Sequence, residues 1–166
     1  MLIRKVDASD DFEAIGNIYV ASWQAAYRGI IEQDYLDSLN SARWAQSLSS
    51  LKYDSYVVME DERYIGTSSI GAARDEKMPG WGEIISIYLL PEYFGRDYAA
   101  PLFEHVVEAL TQAGYENIYL WALEDNLRAR HFYEKHGFHA NGDTALYTIG
   151  TTQLVEVRYV LGDFVP

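Results

Sequence analysis

Asn126-Leu127-Arg128-Ala129-Arg130-His131-Phe132-Tyr133-Glu134-Lys135-His136-Gly137-Phe138 is the stretch on which the fold turns. The Asn126 side chain can accept a hydrogen bond from the first turn of a helix that runs to His136. Gly137 then supplies the left-handed residue that ends it, and Phe138 packs back on the last turn. Before it, Asn117 to Leu123 reads as a short apolar strand, so the chain passes from a buried strand straight into a capped helix.

Upstream, Ala99, Leu102, Phe103, Val106, Val107 and Leu110 recur at helical spacing, with Gly114 as the stop. Glu83 to Leu90 is a buried strand by its Ile and Leu content, ended by Pro91, and Arg74 to Gly82 is the loop before it. Tyr56 to Met59 and Tyr64 to Ala73 flank the acidic turn Glu60-Asp61-Glu62-Arg63 and predict an antiparallel hairpin. The N-terminal part predicts a strand over Leu2 to Val6, then three helices. The first is opened by a capping box of Asp10 with Glu13 and ends near Gly29; the others span Asp34 to Leu39 and Ala42 to Leu51. Downstream, Ala145 to Ile149 and Leu154 to Leu161 are predicted to finish the chain as an antiparallel pair.

A chain of 166 residues, 49% hydrophobic and 23% charged, is the size of one domain, taken here as 1–166. It holds no cysteine, which excludes a disulfide framework, a thiolate metal site and a cysteine-borne acyl intermediate. No apolar run approaches the roughly 18 residues that cross a membrane, and the N-terminus lacks a signal core, so a cytoplasmic protein is expected. A net charge of -12 argues against nucleic acid and anionic membrane partners and mildly favours cationic substrates. His105, His131, His136 and His139 show no zinc-ligand spacing, and no metal is expected. Phosphate-loop, nucleophile-elbow and dinucleotide fingerprints are also missing from the sequence.

The spacing Asn126, Ala129, Phe132, Tyr133, Gly137, Phe138 after an apolar strand resembles the motif near the C-terminal end of the coenzyme A site in the GNAT N-acetyltransferase superfamily. That resemblance implies an α/β fold: a mixed, mostly antiparallel sheet flanked by helices, its fourth and fifth strands splayed to admit the pantetheine arm. It also implies acetyl-CoA as co-substrate and direct transfer to an amine.

Glu83-Ile84-Ile85-Ser86-Ile87-Tyr88-Leu89-Leu90-Pro91 resembles the family's fourth strand, whose backbone binds pantetheine and the acyl carbonyl; Ile87, Tyr88 and Leu89 inherit that role. The following Phe94-Gly95-Arg96-Asp97-Tyr98-Ala99 resembles the phosphate loop, although Phe94 replaces a polar residue and Asp97 a glycine. Cofactor contacts are therefore assigned by resemblance to Gly95, Arg96, Asp97, Tyr98, Ala99, Ala100 and Asn126. Asp97 can cap the following helix, but a carboxylate about 6 Å from a phosphate opposes it by roughly 1 to 3 kcal/mol before screening. Arg96 offsets part of this, and weaker acyl-CoA binding than the family norm is expected.

Tyr133 matches the tyrosine that protonates or hydrogen-bonds the leaving sulfur; read alone it is a core tyrosine. Glu83 falls where some members carry a glutamate that accepts the amine proton, and reads equally well as an exposed strand-end acid. Trp121 takes the place of a second family carboxylate. Trp23 and Tyr27, on one side of the first helix, are assigned to acceptor binding, one as pocket wall and the other as core. The expected acceptor is a small primary amine, such as an amino acid, polyamine or drug-like amine. A protein N-terminus or lysine, and a silent coenzyme A-binding protein, are the alternatives. A homodimer is left open.

Overall fold

The structure, a computed structural model, describes residues 1–162. In chain order it runs β1 (Leu2–Lys5), α1 (Phe12–Ala26), α2 (Gln33–Ser38), α3 (Ala42–Ser49), β2 (Asp54–Glu60), β3 (Arg63–Ala72), β4 (Gly82–Leu89), a 3-10 turn (Pro91–Tyr93), α4 (Ala99–Gln112), β5 (Ile118–Leu123), α5 (Leu127–Lys135), β6 (His139–Ile149) and β7 (Thr152–Leu161). The strands make one sheet in the order β1-β2-β3-β4-β5-β7-β6. Every neighbouring pair is antiparallel except β4 and β5. This is the mixed, mostly antiparallel sheet flanked by helices that the resemblance implies.

Local chemistry explains the joints. The β2–β3 hairpin turns through Asp61 and Glu62, both left-handed, with φ of 47° and 64°. Two left-handed residues make the turn whose twist matches that of paired strands. Helix α5 follows its sequence signature closely. Asn126 Oδ1 accepts from Ala129 N at 3.2 Å, and Gly137 has φ 86°. At the far end Gly137 N donates to Glu134 O and Phe138 N to Tyr133 O, the paired bonds of a Schellman motif. Phe138, 2% exposed, thereby seats its ring 5.3 Å from Phe103 of α4, a burial that contributes roughly 2 kcal/mol.

Two sequence expectations need correction. Asp11, not Asp10, caps α1, accepting from Glu13 N and Ala14 N at 3.1 and 3.0 Å. Asp10 is instead drawn inward, where Arg4, Asp7 N and the Tyr64 hydroxyl donate to its carboxylate. A charged partner from β1 outcompetes an exposed helix cap. Strand β6 begins at His139, six residues before the predicted Ala145. The sheet absorbs Asn141-Gly142-Asp143 as a bulge between Ala140, opposite Tyr159, and Thr144, opposite Val157.

Helices α4 and α5 cover one sheet face, burying Leu102, Phe103, Val106, Leu110, Tyr133 and Phe138 with Ile84, Leu89, Leu120 and Tyr159. Residues of α1 to α3 pack on the other, in clusters around Ile15, Tyr19 and Val57, and around Ile31, Leu36, Leu123 and Leu154. The parallel pair β4 and β5 is joined only at Gly82 with Ile118 and Glu83 with Tyr119. Just beyond, Ile85 is left unpaired, because Ser69 faces Ser86 while Ile70 faces Ile84. A bulge bends its strand and reverses which side chains face which side. So Glu83 and Tyr119 share the α1 face, as do Ser86 and Tyr88 after the bulge, where Tyr19 meets both. The two strands diverge at this point and open the sheet.

Candidate active site

A cleft of about 610 Å³ fills the gap between β4 and β5. It is walled by β4 from Glu83 to Leu89 and by β5 from Leu120 to Leu123. Helix α1 contributes Ser22, Trp23, Ala26 and Tyr27, while the loop before α4, the start of that helix, α5 and the β6–β7 hairpin complete the lining. Past Glu83 the β4 edge that faces β5 has no strand partner, so backbone groups along Ile84 to Leu89 are open to a ligand. Ile87, Tyr88 and Leu89 lie on this edge and line the cleft.

At one mouth, the loop before α4 presents a set of free donors. Gly95 is left-handed at φ 72°, with open space where a side chain would stand. Among the described residues, the N–H groups of Gly95, Asp97, Ala99 and Ala100 have no acceptor, and Pro101 in the first turn has none to satisfy. Unpaired N–H groups at a helix start, reinforced by the helix dipole, suit a phosphate. Gly95, Arg96, Asp97, Ala99, Ala100 and Asn126 all line the cleft here. Tyr98 does not: its hydroxyl donates to Glu60 and its ring stands edge-on to Tyr93 at 5.1 Å. Nor does Asp97 cap α4, whose N-cap is Tyr98 with no side-chain bond.

The sequence reading missed Arg128. Its guanidinium lies 3.8 Å from the centre of the Phe94 ring, so the residue that departs from the expected loop pattern becomes a platform for a cation. Arg96 stacks similarly over Tyr93 at 5.6 Å. Both arginines line the cleft and place positive charge beside the exposed carboxylate of Asp97.

Deeper in, Tyr133 is 8% exposed and lines the cleft from α5. Among the described residues its hydroxyl has no hydrogen-bond partner. Burial, with the neighbouring Tyr88, pushes its pKa well above that of an ordinary phenol, so it stays protonated. Burial also raises Tyr88, to about 12.

Glu83 is not the exposed strand-end acid that one reading of the sequence allowed, for it is 2% exposed. Arg74 donates to it from its backbone N at 2.9 Å, from Nε at 3.1 Å and from Nη2 at 2.6 Å. The Tyr119 hydroxyl donates at 2.9 Å. These donors occupy the lone pairs that a carboxylate offers. The pairing raises Arg74, and burial, followed by the charge of Glu83 and the bond to it, raises Tyr119 to about 12.

Trp23 and Tyr27 both line the cleft and stand edge to face at 5.0 Å; the division into one core and one pocket residue does not hold. Among the described residues, Trp23 Nε1 is buried without an acceptor. Glu156 of β7 and Tyr147 of β6 complete this end and were also missed. Glu156 is partly buried and has no hydrogen bond or ion pair among the described residues; burial raises its pKa. Its signature was present, since Leu154, Val155 and Val157 put apolar residues on both faces of the strand around Glu156, the pattern of a strand covered on both sides, where an acid has no solvent face to take. His136 lines the cleft with its Nδ1 2.7 Å from Phe132 O.

Comparison with known proteins bears on this arrangement. The acetyltransferase (GNAT) family pattern matches residues 12–138. The uncharacterized N-acetyltransferase YuaI of Bacillus subtilis (strain 168) is 32% identical over 119 residues, covering 70% of this chain and 69% of that protein. Spermidine N(1)-acetyltransferase of Thermoplasma acidophilum is 22% identical over 166 residues, covering 95% and 96%. The crystal structure of the PaiA N-acetyltransferase of Thermoplasma acidophilum in complex with coenzyme A aligns with a TM-score of 0.74 at 21% identity, over 93% of this chain and 96% of that one. Fold and family match together define a transferase that draws its acyl group from coenzyme A. The chain belongs to the acetyltransferase (GNAT) family and is an acetyl-CoA-dependent N-acetyltransferase.

Proposed function

We propose that the chain acetylates the primary amine of a small molecule by direct attack on acetyl-CoA. The observation that carries this is the aromatic end of the cleft, where Trp23, Tyr27, Tyr88 and Tyr147 surround the space beyond the β4–β5 gap. Such a lining suits a compact amine better than an extended peptide, which needs an open groove. Kinship to a spermidine acetyltransferase at 22% identity is consistent with a small cationic acceptor, as is the net charge of -12. An acetyl-CoA-dependent activity also fits the cytoplasmic location read from the sequence.

In this reading the free amides of Gly95, Asp97, Ala99 and Ala100 hold the pyrophosphate, with Arg96 and Arg128 adding charge. The open edge at Ile87, Tyr88 and Leu89 holds the pantetheine arm and polarises the acyl carbonyl. Tyr133 offers its proton to the departing sulfur. With no cysteine in the chain, the acetyl group passes in one step without a thioester on the protein.

Calorimetric titration with acetyl-CoA, followed by a screen of amines and peptides for release of the coenzyme A thiol, tests the proposal. Small amines should outpace peptides. Turnover confined to peptides would refute the acceptor class, and binding without turnover on any acceptor would point to a silent coenzyme A-binding protein.

A further inference from the structure

We propose that Glu156 is the group that receives the acceptor's ammonium ion and takes its proton, so that the acceptor is an alkylammonium cation. The inference rests on the small-amine reading above and specifies its substrate.

The two glutamates of the cleft differ in what they are free to do. Glu83 is enclosed by donors from Arg74 and Tyr119, and a proton can reach it only by displacing one of them. Glu156 lines the same cleft and has no hydrogen-bond or ion-pair partner among the described residues. The guanidinium nearest to it in effect, that of Arg74, is already committed to Glu83 through Nε and Nη2. A partly buried, unpaired carboxylate costs the fold stability, and a cation from outside is the group that relieves it.

Position agrees with this role. Glu156 stands opposite Leu123 on β5 and Ala145 on β6, neither of which offers a charge or a donor side chain. Glu83 on β4, Arg74 on the β3–β4 loop, Tyr27 on α1 and Tyr88 on β4 are the titratable or charged groups within electrostatic reach. The surrounding rings of Trp23, Tyr27, Tyr88 and Tyr147 add a wall that favours an alkylammonium over a bare metal cation or a neutral amide.

Proton balance follows. The ammonium gives one proton to Glu156 and becomes a neutral amine. Its nitrogen bonds to the thioester carbon and the carbon–sulfur bond breaks. The nitrogen loses a second proton as it becomes an amide, which balances protonation of the thiolate, and Glu156 releases its own proton to solvent. Because Glu156 must begin ionised, activity rises with pH through its pKa. Burial lifts that pKa towards the working range of a general base.

The test compares wild type with Glu156→Gln and Glu156→Asp, using n-butylamine and spermidine as probes. With coenzyme A present, calorimetry should show both amines binding wild type at least about 10-fold more tightly than Glu156→Gln, while acetyl-CoA affinity is the same in both. Turnover of Glu156→Gln should fall about 100-fold or more, its acidic limb in kcat/KM against pH should vanish, and Glu156→Asp should restore part of each. Equal amine affinity in wild type and Glu156→Gln overturns the inference whether or not turnover occurs. Failure of the acetyl-transfer reading shows differently, as no thiol release by wild type with any amine.

Discussion

Replacing Tyr133 by Phe separates stability from catalysis in a way the structure makes quantitative. The Tyr133 ring packs against those of Phe103 and Tyr159, with ring centres 5.7 and 6.0 Å away, while its hydroxyl reaches the cleft and has no hydrogen-bond partner among the described residues. A hydroxyl that faces the cleft and makes no bond to the protein holds nothing in place, so Tyr133→Phe should change stability by no more than about 1 kcal/mol. For a chain of this length that is a change in Tm of at most about 2 to 4 °C. In the proposed mechanism the same hydroxyl meets a sulfur that is gaining negative charge. A hydrogen bond to a charged partner contributes about 1.5 to 3 kcal/mol, which predicts a fall in kcat of roughly 10- to 150-fold. Acetyl-CoA affinity should change little, since the bond strengthens only as charge develops. Thermal unfolding, calorimetry and a thiol-release assay read the three quantities. An unchanged kcat refutes the acid role, and a Tm loss of several degrees refutes the claim that the hydroxyl is unpaired.

Arg128→Ala should weaken acetyl-CoA binding about 5- to 30-fold at low salt and less at high salt, because an exposed cation acts through a screened field; Asp97→Asn should shift affinity the other way by a few-fold, both by calorimetry. Gly137→Ala places a side chain at φ 86° where the nearest atom, Leu161 Cδ1, is 3.7 Å off, so its cost is conformational alone, about 1 to 2 kcal/mol in denaturant unfolding. Asp10→Asn should cost about 2 kcal/mol at pH 7. Arg4 holds the Asp10 carboxyl well below its ordinary 3.8, so its contribution is present above about pH 4 and is lost as pH falls towards the folded-state pKa. The gap between variant and wild type should therefore narrow below pH 4 in acid unfolding curves.

The fold was legible where local chemistry and tertiary packing agree. At α5, the Asn126 cap and the Gly137 stop are both used as their residue types suggest, and packing of Phe138 reinforces them. Asp10 was misread because two consecutive aspartates can cap α1, and only the distant Arg4 and Tyr64 decide which one turns inward. The start of β6 was missed for a similar reason. Asp143 of its bulge pairs with Arg158 at 3.1 Å, a contact between residues on different strands that no turn signal records. The cleft divides along the same line. The resemblance led to Tyr133, Glu83 and the loop before α4, whereas Arg128 and Glu156 enter through what surrounds them: a phenylalanine in an unexpected place, and the space left by two diverging strands.

The environments of Glu83 and Glu156 make two like side chains into groups of different use. Tyr119 donates to Glu83 and accepts from Asp75 N at 3.4 Å, and Asp75 in turn pairs with Arg158 of β7. Glu83 is thus one end of a chain of polar contacts that ties the β3–β4 loop to β4, β5 and β7. Removing a charge from the middle of such a chain leaves buried groups unmatched, which makes it rigid. Glu156 stands two residues before Arg158 on the same face of β7 and takes no part in those contacts. The rigid members hold Arg74 and Arg158 to other acids, Glu83 for the first and Asp75 with Asp143 for the second, and the Glu156 carboxylate is left without a partner among the described residues. Loss of Glu83 would release Arg74 to neutralise Glu156. Impaired turnover in a Glu83 variant therefore follows from a lost positioning contact as readily as from a lost base, and only the pH profile of Glu156 variants separates the two.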